Sequence, residues 1–145
     1  MALLNRLICF CALLLCWVFC PLYSQNTDTA GYRASIAAMI AADDSLGTIR
    51  NHACVTLSLS QTIRDYADAL GNLDFSNCPG DFAQAFDMHR QAWLAIIPVV
   101  ENYPGMRGEM HDLFSQLEVS ADSAIFRIRL AAIWDTWGAV EAAME

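Results

Sequence analysis

Phe126, Leu130, Ile133, Trp137, Val140 and Met144 recur at steps of four, three, four, three and four. That spacing puts all six on one stripe of an α-helix, with Trp134 beside them. A second run, Phe82, Phe86, His89, Trp93, Ile96 and Val100, follows the same steps. No stretch after residue 24 alternates as a strand over more than a few positions. A chain with two such stripes and no strand pattern is expected to be all-α, a small bundle of four to five helices. Its 145 residues exclude a two-domain enzyme or a large parallel sheet. Residues 25–145 are read as a single helical domain.

The remaining helices are less sharply marked. Thr27 to Ala42 carries Tyr32, Ile36, Met39 and Ile40 at helical spacing. Asp43-Asp44-Ser45 reads as a break that offers N-cap side chains. Ile49, His52, Thr56, Leu59, Ile63, Tyr66 and Leu70 then form a stripe, weaker in its first half. There the β-branched and Ser residues between Cys54 and Ser60 lower helix preference. Gly71 is the expected C-terminal stop. Cys78-Pro79-Gly80-Asp81 opens the next helix, with Asp81 near the positive end of its dipole. Pro98 should kink that helix, and Tyr103-Pro104-Gly105 should end it. Met106, Met110, Leu113 and Leu117 mark a short helix. Glu118 to Ser120 reads as a turn, with Ser120 or Asp122 capping the last helix.

Composition divides the chain in two. It is 56% hydrophobic, with a mean hydropathy of +0.32. Twenty of the first 24 residues are hydrophobic, and Arg6 is the one charge among them. A positive residue before an apolar run, then Pro21 and the small Ser24, is the layout of a secretory signal peptide at residues 1–24. An uncleaved anchor is the competing reading, since the run from Leu7 to Tyr23 is at the lower edge of a bilayer span. A lipoprotein signal fits poorly, because Leu15 and Phe19 precede Cys16 and Cys20. Every version exports the remainder, so a periplasmic or secreted location is expected, with membrane contact only through the leader. Residues 25–145 hold 61 hydrophobic residues in 121, ordinary for a soluble domain. All 16 acidic residues lie there against seven Arg, a net charge of −9. Such a balance excludes nucleic acid as a partner, because its phosphates are held mainly by Lys and Arg.

Four of the six cysteines fall in the leader, leaving Cys54 and Cys78. In an oxidising compartment these two are expected to form one disulfide, stabilising by roughly 3 kcal/mol. If residues 54–70 were all helical, Cys54 would lie about 24 Å from the helix end. A bridge then requires either a helix that starts near Ser58–Ser60 or a segment 71–77 that runs back along it. The returning loop, packed by Leu73 and Phe75, is the preferred geometry.

Chemistry is sparse. His52 and His89 sit on apolar stripes and are expected to point inward, and His111 lies beside Asp112. Inward histidines on neighbouring helices could ligate a metal or haem iron. Neither His52 nor His89 has an acidic residue or a second histidine one turn away, and hydrogen-bonded core or boundary histidines are the plainer reading. Covalent c-type haem is excluded, because Cys-x-x-Cys-His is absent. Ser58, Ser60 and Ser115 lack a nucleophile elbow. Asp65/Asp68 and Glu109/Asp112 read as solvated pairs, Arg127 and Arg129 as partners for helix acids, and the Met and Trp residues as core. With no catalytic constellation, no enzyme is expected. The leading expectation is an exported, non-catalytic helical domain that binds another macromolecule and carries no cofactor. An acidic surface suits a basic partner, as in an inhibitor, an immunity-type protein or an accessory subunit. The alternative is a metal- or haem-binding periplasmic bundle using inward-facing histidines.

Overall fold

A computed structural model describes residues 25–145, with side chains from Thr29 onward; the signal peptide expected at residues 1–24 lies outside the described residues. Five helices and no strand occur among the described residues: α1 (Gln25–Ala53), α2 (Leu59–Gly71), α3 (Gly80–Val100), α4 (Met110–Leu117) and α5 (Ser123–Ala142). No helix among them is long and apolar enough to cross a membrane. The all-α expectation holds.

The stripe on α3 became the centre of the molecule. Phe82, Phe86, Trp93, Ile96 and Val100 are buried, and so are Ala85, Ala92, Ile97 and Val99 beside them. Each large apolar side chain taken from water contributes roughly 1.5–3 kcal/mol. α5 packs its stripe on α3, burying Phe126, Ile133 and Val140 with Leu130 and Trp137 half-buried. The pair is antiparallel: His89 meets Thr136 near one end, and Asn102 donates to Asp122 near the other. On the opposite side α2 runs antiparallel to α3, tied by the Arg64–Glu101 ion pair and by Arg90 Nε donating to the Ala67 carbonyl at 3.0 Å. α1 packs along α2. Phe75, in the α2–α3 loop, packs its ring at a tilt against Phe82 and Phe86, at centroid distances of 6.2 and 5.0 Å.

The boundary between the first two helices differs from expectation, whereas the stop at Gly71 holds. α1 runs unbroken through Asp43-Asp44-Ser45. Ser45 and Thr48 donate back to the carbonyls of Ala41 and Asp44, at 2.9 and 3.0 Å, rather than capping a new helix. The break falls instead between Ala53 and Leu59, where Ser58 caps α2 by accepting from the Gln61 amide. Gly71 ends α2 without a left-handed turn. A Cβ there would lie 2.8 Å from Arg90 Nε, so the glycine serves the close approach of α3. Pro98 lies inside α3 with its ring exposed, and the helix continues to Val100.

The expected disulfide does not form. Cys54 and Cys78 are both free thiols, the first buried and the second half-buried. The Cys54 carbonyl accepts from Gly108, beyond the C-terminal end of α3, whereas Cys78 precedes its first turn. Twenty-one helical residues, about 30 Å, separate those ends. The segment 71–77 stays at one end of the bundle and does not run back along α2.

Candidate aromatic cavity

Because α1 continues past Ala42, Asp43, Gly47 and Arg50 share one face of it, turned toward α2 and α3. Asp43 is 8% exposed, and the Tyr66 hydroxyl of α2 donates to its carboxylate. Burial pushes the Asp43 carboxyl up from its usual value, opposed by that hydrogen bond and by Arg50. Burial and Asp43 also push the Tyr66 phenol up, so it stays a donor. Arg50 places its guanidinium carbon 4.4 Å from the Tyr66 ring centroid and 4.3 Å from that of Trp93. The two rings meet edge to face at 5.3 Å and 79°, making a corner that holds the cation. Such contacts contribute roughly 0.5–2 kcal/mol each, more where water is excluded. Burial lowers the Arg50 pKa, with Tyr66 and Asp43 opposing, and a guanidinium remains charged throughout.

His89 forms the next part of the wall and is 4% exposed. The indole N–H of Trp93 can only donate, and it donates to His89 Nε2 at 3.0 Å. That nitrogen therefore carries the lone pair, and Nδ1–H donates to Thr136 Oγ1 at 3.1 Å. The Thr136 hydroxyl in turn donates to the Ala132 carbonyl at 2.8 Å. Both ring nitrogens are thus satisfied in the neutral form. Burial accordingly lowers the His89 pKa to about 4, with Arg50 adding to the shift and a backbone contact to Ile133 opposing it.

Between this polar wall and helices α4 and α5 lies a cavity of about 450 Å³. Phe114, Leu130, Ile133 and Trp137 make its apolar side. Asp44, Thr48, Asn51, His111 and Trp134 stand at its exposed rim. Trp134 is 64% exposed, so it is a surface residue at the mouth and not the core filler its sequence context implied. A cavity of this size, apolar with a few placed polar groups and set between bundle helices, is the usual form of a small-molecule site.

The three histidines do not assemble a ligand set. His52 faces solvent and bonds through Nδ1 to the Thr48 carbonyl of its own helix at 2.8 Å, correcting its inward assignment. His89 points inward as expected, but the Nε2 lone pair a metal would use is engaged by Trp93. His111 is exposed at the rim. Among the described residues no group of three or more His, Cys, Asp or Glu is placed to hold a metal ion. Asp65, Asp68, Glu109 and Asp112 are exposed. Arg127 donates to the Glu118 carbonyl and fastens the α4–α5 turn. The residues that sequence reasoning passed over are Asp43, Arg50, Tyr66 and Trp93. Their signal was a charged pair seven residues apart, continuing the Ile36–Met39 stripe of α1 once no break is placed at Asp43. No protein-family model, curated protein or solved structure matches this chain.

Proposed function

We propose that residues 25–145 form an exported, non-catalytic domain that binds a small, largely apolar planar molecule in the aromatic cavity. The observation that carries this reading is the cavity itself, with a ring-lined apolar side facing a wall whose polar groups are already ordered. Pre-ordered walls lower the entropic cost of taking a ligand. The reading belongs to the ligand-binding class expected from sequence, but without the histidine-held metal or haem, since His52 and His89 do not converge. A macromolecular partner is the second reading, favoured by exposed apolar side chains such as Val119 and Ile128 on a domain of net negative charge. A low-salt pull-down that recovers no partner counts against it.

Calorimetric titration with the neutral probe 2-naphthalenemethanol tests the first reading. One saturable site is expected. Trp134→Ala, at an exposed position, should weaken it by roughly threefold to tenfold while leaving the melting temperature in place. Absence of saturable heat, or an affinity unchanged by Trp134→Ala, overturns the reading.

A further inference from the structure

Arg50 is half-buried and held by rings instead of by an ion pair. Its cation rests on two aromatic faces, yet no carboxylate among the described residues reaches ion-pair distance from it; the ion pairs present are Arg64–Glu101 and Arg90–Asp87. Its hydrogen bonds to Asn51 Oδ1 are long, both 3.3 Å. Asp43, the nearest buried acid on the same helix face, is engaged by the Tyr66 hydroxyl instead. Of the residues lining the cavity, Arg50 is the one guanidinium, no Lys exists in the chain, and His89 is held neutral by its two hydrogen bonds.

Resting on the cavity reading, we infer that the ligand carries one carboxylate, which Arg50 receives while its planar apolar body lies against Trp134, Trp137 and Phe114. A guanidinium offers a planar fork of donors that matches a carboxylate. Stacking on Tyr66 and Trp93 holds that fork in one orientation, so less rotamer freedom is lost when an anion arrives. Partial exclusion of water strengthens the attraction relative to a surface pair. A cationic ligand is disfavoured by the same geometry. The aromatic corner that would receive it is occupied by Arg50, and like charges at that distance repel. Asp43 also lines the cavity, but its carboxylate accepts from the Tyr66 hydroxyl, and Asp44 stands at the exposed rim, screened by solvent.

Three matched probes separate the outcomes: 2-naphthoate, 2-naphthalenemethanol and 2-naphthylmethylammonium, titrated calorimetrically into the purified protein. The naphthoate should bind at least about tenfold more tightly than the alcohol, and the ammonium more weakly than the alcohol. Arg50→Gln should bring the naphthoate to the affinity that the alcohol shows in the same variant. An alcohol or ammonium that binds as tightly as the naphthoate overturns the inference and leaves the cavity reading standing. So does a naphthoate preference that survives Arg50→Gln. If none of the three binds, the cavity reading falls and this inference with it. Should Arg50→Gln fail to fold, the ranking of the three probes on the unaltered protein decides the question.

Discussion

His89 is the residue at which environment most alters chemistry. On the sequence it is a polar member of an apolar stripe, equally suited to ligating a metal or to satisfying itself in the core. The structure resolves this through the donor-only indole of Trp93, which obliges His89 to accept at Nε2. The energetic consequence has a definite sign. The folded pKa, about 4, lies below the ordinary value of 6.5, so the unfolded chain takes up this proton first. The contribution of neutral His89 is complete above the ordinary value. It is lost progressively as pH falls toward about 4, by roughly 3 kcal/mol in all. Asp43 acts in the opposite sense, because its raised pKa lets the folded protein gain stability on protonation. Urea unfolding at about pH 7 and about pH 4.5 should therefore show a fall in stability that His89→Gln reduces. An equal fall in both proteins would show that His89 is not the titrating group. The positions of Asp43 and Arg50 could not be anticipated in the same way. A buried charge looks like a break until its partner, Tyr66, is placed 23 residues further on.

Among the elements, α3 and α5 were legible because their stripes run uninterrupted and pack against each other. α1 and α2 were not, because Asp43-Asp44-Ser45 has the composition of a cap and makes none. The side chains that break helices in isolation here bond to the preceding turn of their own helix or to another helix. Misplacing that break carried the stripe from Leu59–Leu70 back onto Ile49 and His52, across a real interruption at Cys54–Ser58, and so turned His52 inward. The close contact of α2 with α3 is where helix geometry is most tightly constrained. Gly71 admits the Arg90 side chain, which bonds the Ala67 carbonyl. In a double-mutant cycle, Gly71→Ala should be more costly in the native background than in Arg90→Ala, by about 0.5 kcal/mol or more. Additive effects would mean that Arg90 does not set the approach of the two helices.

For the molecule as a whole, the hydrophobic excess falls in the first 24 residues, residues 25–145 are acidic, and the helical fold of the latter followed from periodicity. The disulfide did not follow, since the compartment expected from the sequence and the cysteine count favour pairing while the topology puts the thiols at opposite ends of α3. The candidate site was also beyond reach, because it is built from residues of five helices whose mutual placement no local pattern encodes. Its wall is ordered by internal hydrogen bonds and by a cation held between rings, which leaves the cavity as the feature available for a partner of small size. The indole N–H resonances of Trp134 and Trp137 report on that cavity directly. On titration with 2-naphthoate, both should shift saturably and together, with one dissociation constant that matches calorimetry. Indole resonances that stay in place while the ligand binds elsewhere, or that drift without saturating, would contradict the cavity as the functional site.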